Sequence, residues 1–277
     1  MKILIVNLGG MGDFLLSLAA VSALRDFYKD SQIILLTIPR TKPVAQAFPY
    51  FDEIIAFDFS FLGAFKQSLA LRRRGFDLAL NMRTLVSWEG AFKMAFLFYL
   101  IGAKCLAGRD TSGRGFFLNI KAPEDDIGSL PEYEYDLNTV RALGVPAQFN
   151  LPQLPIRDED AVYIDNFLEA HNIKPGERVV GINPFAPWMS KCWPIENFAA
   201  LIKALQKEFP CKVVITGSSD EAHSAFRLQS LSAAELAIAA GKTTFGQLAA
   251  LIKRCSLYIT NDTGPMHIAA ILQATLI

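Results

Sequence analysis

The sequence has no excess of charge of either sign, because 27 Lys and Arg side chains balance 27 Asp and Glu side chains among its 277 residues. Proteins dedicated to nucleic acids usually carry a basic excess, so the balance argues against a nucleic-acid partner. An anionic substrate would therefore have to meet local clusters of Arg and Lys.

Cysteine and histidine are scarce as well, with four and three copies in the chain. The cysteines form no C-x-x-C pair and are predicted to be buried thiols of a protein from a reducing compartment. The histidines lack the spacing of metal ligands, so we expect no metal site.

Long hydrophobic runs are missing too. No stretch of about 20 apolar residues occurs, so a transmembrane helix is not expected. The longest apolar run, residues 94–103, lies between Lys93 and Lys104, and we favour a buried core helix over a membrane-surface patch there. Residues 1–8 meet Gly9 and Gly10 without the apolar core of a secretory signal, so we expect no signal peptide.

The first half of the chain alternates short β-branched runs with helical stretches. Strands are predicted at residues 2–7, 32–38, 53–57, 77–81 and 104–107. Such an alternation is typical of an α/β protein with a parallel sheet and helices on both of its faces.

Five prolines between residues 120 and 160 interrupt this alternation, and we place a domain boundary there, giving domains 1–155 and 156–277. The second half restarts the pattern, with strands predicted at residues 178–183, 212–216, 237–240 and 257–260. Two Rossmann-like domains predict a cleft between them, with ligands outside the carboxyl ends of the strands.

The most informative motif is N-D-T-G-P-M-H-I-A-A at residues 261–270, between a predicted strand and a predicted helix. The N-terminus of a helix offers unpaired N–H groups and a positive dipole end, which suit a phosphate. Gly264 allows a ligand to come close, and Pro265 suits the first helical position. The alternative is an ordinary helix cap formed by Asp262 or Thr263.

Three further segments follow predicted strands in the same way. The segment G-G-M-G-D at residues 9–13 does not match the dinucleotide fingerprint G-x-G-x-x-G. Its last residue, Asp13, is either a helix cap or a general base. Lys191 precedes a predicted helix and is either a diphosphate ligand or a solvated surface side chain. Glu221, in G-S-S-D-E at residues 217–221, suits ribose hydroxyls or a helix cap.

These segments together resemble family 9 of the glycosyltransferases, the lipopolysaccharide heptosyltransferases. The resemblance rests on G-G-M-G-D, K-C-W-P at residues 191–194, G-S-S-D-E and the N-D-T-G-P-M-H-I-A-A motif, whose order spans nearly the whole chain. It implies the GT-B fold, with an N-terminal domain for the acceptor and a C-terminal domain for a nucleotide-sugar, typically ADP-heptose.

The resemblance also implies roles for individual residues. Asp13 matches the catalytic base of an inverting transfer that uses neither a metal nor a cofactor. The positions that match the donor site are Lys191, Glu221, Asp262, Thr263, Gly264 and His267.

The implied acceptor is an anionic lipid-linked saccharide. The residues expected to bind it are Gly10, Met11, Gly12, Arg83 and Arg109. The two arginines are included because each follows the end of a predicted strand. The expected location is the cytoplasm, with peripheral contact at the inner face of the inner membrane, and the expected state is a monomer.

Two departures from the family pattern bear on these expectations. Ala186 and Pro187 stand where some members place Thr hydroxyls against the phosphates. The family continues beyond the position of Ile277, so we expect an incomplete donor domain. The alternatives to a heptosyltransferase are a non-catalytic remnant and another GT-B nucleotide-sugar enzyme such as an epimerase.

Overall fold

The computed structural model describes residues 1–125 and 127–277. The chain divides into two compact units, an N-terminal unit, Met1–Pro152, and a C-terminal unit, Gln153–Ile277. Each unit is a parallel β-sheet covered by helices, as the alternation in the sequence predicts. No helix within the described ranges is long and apolar enough to cross a membrane.

The strands of the N-terminal unit are β1 (Lys2–Asn7), β2 (Gln32–Thr37), β3 (Glu53–Ala56), β4 (Leu78–Asn81), β5 (Cys105–Thr111) and β6 (Ile120–Glu124). Its helices are α1 (Met11–Phe27), α2 (Lys42–Ala45), α3 (Phe61–Arg72), α4 (Trp88–Ile101) and α5 (Glu132–Arg141). The strands lie in the order β3-β2-β1-β4-β5-β6. The strand order reverses beside β1, and in open parallel sheets such a switch point marks the place where ligands bind.

The C-terminal unit has the strands β7 (Val179–Asn183), β8 (Lys212–Ile215), β9 (Ala237–Ile238) and β10 (Leu257–Thr260). Its helices are α6 (Asp158–Ala170), α7 (Ile195–Glu208), α8 (Ala222–Ser232), α9 (Phe245–Arg254) and α10 (Gly264–Ile271). The strands lie in the order β10-β7-β8-β9. Helices α7 and α8 cover one face of this sheet, and α6 and α9 cover the other. Beyond α10, the chain pairs with β10 through the bridge between Leu276 and Tyr258.

The largest difference from the sequence-based expectation lies at β5 and β6. Strand β5, which we expected to end at Ala107, continues to Thr111 because it pairs with β6. Strand β6 was not predicted, since it contains Pro123, which is rare in strands. Its position at the edge of the sheet tolerates the missing N–H of proline.

The extension of β5 places Arg109 in the interior, with 1% of its surface exposed. Its guanidinium donates to Oδ1 of Asp136 at 2.6 Å and to Oε1 of Glu132 at 2.7 Å, both on α5. It also pairs with Oε1 of Glu124 on β6 at 3.3 Å. One cation thus joins β5, β6 and α5.

This geometry corrects the expectation that Arg109 faces an acceptor. The residue lies within a strand rather than after one, so its side chain points into the packing between the sheet and α5. Its charge is neutralised by carboxylates of the same unit.

The acidic partners of Arg109 outnumber it, and one of them has a raised pKa. Burial raises the pKa of Asp136 to about 7, although the charge of Arg109 and a hydrogen bond from it act in the opposite direction. Repulsion from the Glu132 carboxylate adds a smaller effect that also raises the pKa of Asp136.

We predict that Asp136→Asn flattens the pH dependence of stability between about pH 4 and 7. The folded-state pKa of Asp136 is raised, so the unfolded chain binds fewer protons in this window. The free energy of unfolding of the unmodified chain should therefore fall, relative to the variant, as pH rises, by at most about 1.4 kcal/mol per pH unit.

Urea unfolding at several pH values measures this difference. Asp26→Asn, at an exposed position on α1, is the matched control and should keep the slope of the unmodified chain. A difference between the unmodified chain and Asp136→Asn that stays constant with pH, or grows as pH rises, would contradict the prediction.

Candidate functional site

Buried asparagines shape the loops at the carboxyl edge of the N-terminal sheet. Asn7, the last residue of β1, accepts at Oδ1 from the N–H of Gly9 at 3.1 Å. Asn81, the last residue of β4, accepts in the same way from the N–H of Arg83 at 3.2 Å. Such side-chain turns satisfy backbone groups where the chain leaves a sheet. They fix two neighbouring loops at the switch point of the strand order.

These loops bring Asp13 and Arg83 together. Asp13 lies in the first turn of α1, where its Oδ2 accepts from the N–H of Gly10 at 3.0 Å. A guanidinium nitrogen of Arg83 approaches the same oxygen at 2.5 Å, and both side chains stay partly exposed. The N-terminus of a helix and a cation therefore hold a carboxylate at the carboxyl edge of the sheet.

The glycine run before Asp13 makes room for this ion pair. A Cβ at Gly9 would overlap the Arg83 guanidinium and the Asp13 carboxylate. Gly10 is the residue that caps α1, and Met11 and Gly12 are the first residues of this helix. The predicted site residues of the N-terminal unit thus lie together, except that Arg109 is buried beneath them and donates to Oγ1 of Thr84 at 2.7 Å.

In the C-terminal unit, Asn261 joins the loop after β7 to the loop after β10. Its Nδ2 donates to the carbonyl of Pro184 at 2.8 Å, and its Oδ1 accepts from the N–H of Trp193 at 3.2 Å. Asn183, the last residue of β7, accepts from the N–H of Phe185 at 3.1 Å. The segment that contains Lys191 is therefore tied at both of its ends.

This fixed loop brings Lys191 against the N-D-T-G-P motif. Its Nζ lies 2.5 Å from Oδ2 of Asp262, and the two side chains are 44% and 53% exposed. Because β7 and β10 are parallel neighbours, Lys191 and the N-terminus of α10 lie at the same edge of the sheet. A partly exposed cation beside the N-terminus of a helix suits a diphosphate.

The first turn of α10 contains the other predicted donor-binding residues. Thr263 is its N-cap, Gly264 its first residue and His267 a half-buried residue of the same turn. In the part of the chain that the structure describes, the buried hydroxyl of Thr263 has no hydrogen-bond partner. Buried hydroxyls are normally paired, so this group suits an oxygen of a ligand.

Glu221 has a partner within its own segment. Its Oε2 accepts from the N–H of Ser218 at 2.7 Å and caps the short 3₁₀ turn, Ser219–Glu221, that leads into α8. This is the capping alternative that the sequence allows. A role of Glu221 toward a nucleoside stays a prediction.

The sequence analysis gave no role to three residues that shape these loops, namely Asn7, Asn81 and Asn183. A signal for them existed, because Asn ends the predicted strands before residues 8, 82 and 184. For the described ranges, no group of three or more His, Cys, Asp and Glu side chains is placed to hold a metal ion.

Known proteins match this chain in sequence and in fold. The profile of glycosyltransferase family 9 (heptosyltransferase) matches residues 64–277. Lipooligosaccharide heptosyltransferase 2 of Campylobacter jejuni is 26% identical over 277 residues, which cover 98% of this chain and 78% of that protein.

Two solved structures extend the likeness to the fold. A family 9 glycosyl transferase from Veillonella parvula superposes with a TM-score of 0.84 at 23% identity, covering 99% of this chain and 79% of that one. The structure of E. coli heptosyltransferase WaaC with ADP superposes with a TM-score of 0.75 at 19% identity, and the match covers 100% of this chain and 86% of that one. The chain therefore has the GT-B fold of two Rossmann-like domains, and it belongs to glycosyltransferase family 9, the heptosyltransferases.

Proposed function

We propose that this protein transfers heptose, or a similar sugar, from ADP-heptose to a lipopolysaccharide core or a related anionic, lipid-linked glycan. The observation that carries the proposal is the Asp13 carboxylate, which Arg83 and the N-terminus of α1 hold at the carboxyl edge of the sheet. The transfer inverts the anomeric centre in one displacement and uses no metal or cofactor.

In this reaction Asp13 is the general base. Both of its contacts use Oδ2, which leaves Oδ1 to take the proton of the acceptor hydroxyl. The hydroxyl oxygen bonds to the anomeric carbon as the bond from that carbon to the diphosphate breaks. Arg83 orients the carboxylate and, with Gly10, Met11 and Gly12, borders the acceptor. A base within hydrogen-bond reach contributes through general catalysis.

The C-terminal unit holds the donor. Lys191 turns from Asp262 toward the diphosphate, whose charge grows as it leaves, and the first turn of α10 adds its N–H groups and the hydroxyl of Thr263. Fixed positive charge of this kind stabilises a leaving group without a metal. The ADP of the E. coli WaaC structure supports an adenine nucleotide as the donor.

The proposed location is the cytoplasm, where the donor is available, with the chain acting as a monomer at the inner face of the inner membrane. The lipid-linked acceptor supports contact with that membrane. The anionic groups of the acceptor meet Arg83, which lies beyond the end of β4 at the carboxyl edge of the sheet.

We predict that Asp13→Asn lowers kcat by about a hundredfold to ten-thousandfold, because the amide cannot take the proton. Affinity for ADP, measured by calorimetry, should stay unchanged, since Asp13 lies in the other unit from the donor residues. The control is Asp26→Asn, an exposed carboxylate at the far end of the same helix. Transfer by Asp13→Asn at a rate near that of the control would show that the base is assigned wrongly.

A second prediction concerns the donor phosphates. Lys191→Ala should weaken ADP binding by about tenfold to a hundredfold, because a charge-assisted contact is lost, and it should leave adenosine binding unchanged. Lys203→Ala, at an exposed position on α7, is the matched control.

Calorimetry with ADP, adenosine, UDP and GDP separates the outcomes. If Lys191→Ala lost the same amount of affinity for ADP and for adenosine, Lys191 would not contact the phosphates. Preference for UDP or GDP would overturn the assignment of an adenine nucleotide-sugar and favour another GT-B enzyme.

A further inference from the structure

Helices α3 and α4 lie side by side on one face of the N-terminal sheet. Leu71 of α3 and Phe98 of α4 pack into the same buried cluster of strand residues. A guanidinium nitrogen of Arg72 donates to the carbonyls of Tyr99 and Leu100, at 3.2 and 3.3 Å, and so joins the C-terminal ends of the helices. The two helices therefore present one continuous outer surface, which we call the α3–α4 face.

On α3 this face is apolar. Phe61, Phe65 and Leu69 follow one another at intervals of four residues and form one stripe, and Phe61 is 89% exposed. Leu62 is exposed beside them. A continuous exposed patch of large apolar side chains is uncommon and usually marks an interaction surface.

On α4 a second stripe runs alongside. Trp88, Phe92, Phe96 and Tyr99 share one side of the helix and are all exposed. Phe116 extends the stripe, with its ring centre 5.4 Å from that of Phe92. Residues 94–103 thus differ from the expected core helix, since their inner side is buried while Phe96 and Tyr99 face outward.

The charges on the α3–α4 face are basic. Lys66 on α3 and Arg73, which follows the last residue of α3, are exposed, and the acidic residue beside this helix is Asp58, near its first turn. On α4 the only charged side chains, Glu89 and Lys93, pair with each other at 2.6 Å and cancel. The apolar stripes are therefore bordered by an excess of positive charge.

We propose that the α3–α4 face docks on a bilayer of anionic phospholipid, with its aromatic side chains at the level of the headgroups. Aromatic rings favour the membrane interface, and basic residues beside them are attracted to anionic lipid. A second copy of the chain fits less well, because a symmetric contact would bring together two surfaces with the same excess of positive charge.

This inference rests on the proposed function in one respect, which is that the acceptor of the reaction is held in a membrane. Helices α3 and α4 follow β3 and β4 and begin at the carboxyl ends of the strands, where Asp13 lies. Docking through this face would bring that edge close to lipid-linked substrate.

Sedimentation with vesicles tests the proposal without using the reaction. The chain should bind vesicles of equal parts phosphatidylglycerol and phosphatidylcholine more tightly than phosphatidylcholine alone, and added salt should weaken the binding. Phe61→Ser with Phe96→Ser, and separately Lys66→Gln with Arg73→Gln, should each lower binding by about tenfold or more. Phe226→Ser with Lys203→Gln, at exposed positions of the C-terminal unit, should have no effect.

Calorimetry with ADP on the same variants keeps the two proposals apart, since its result depends on the donor site alone. Absence of binding to the phosphatidylglycerol vesicles, or equal binding by the α3–α4 variants and the control, would overturn the proposal. Self-association that is lost in Phe61→Ser with Phe96→Ser, without vesicle binding, would overturn it in favour of a second copy of the chain.

Discussion

The candidate site depends on how the chain leaves its sheets. At the ends of β1, β4 and β7 a buried asparagine accepts the N–H of the residue two positions on. Each turn directs a loop across the carboxyl edge and satisfies a backbone donor that would otherwise be buried without a partner. The ion pairs of the site can form because these loops have fixed starting points.

Two arginines show how a position relative to a strand end decides what a charge does. Arg83 lies beyond the end of β4, is partly exposed and holds Asp13. Arg109 lies within β5, is buried and is surrounded by carboxylates. A buried cation with several partners fixes packing, whereas an exposed cation with one partner can exchange that partner for a substrate.

Much of the fold was predictable from hydrophobic alternation, because buried parallel strands are nearly continuous apolar runs. The parts of the fold that could not be predicted depend on pairing between segments that are distant in the sequence. Strand β6 contains a proline and is stabilised by its contact with β5, so its own residues indicate no strand. The same contact lengthens β5 and turns Arg109 inward.

The site was predictable in part. Loop position relative to strand ends located Asp13, Lys191 and Asp262, since all three follow predicted strands. Their partners could not be predicted: the pairing of Asp13 with Arg83 joins positions 70 residues apart, and that of Lys191 with Asp262 joins positions 71 apart. The sequence also did not predict that the outer side of α4 is exposed. Most residues of this helix are apolar, and such a composition fits both a helix that is covered on all sides and one with an exposed apolar stripe.

The measurement that tests the central claim most directly is the anomeric configuration of the product. The chain would be incubated with ADP-heptose and a lipopolysaccharide-core acceptor, and the new glycosidic bond examined by NMR. Direct attack by a hydroxyl that Asp13 deprotonates predicts a configuration inverted relative to the donor. A retained configuration would contradict the account, because it requires two displacements at the anomeric carbon.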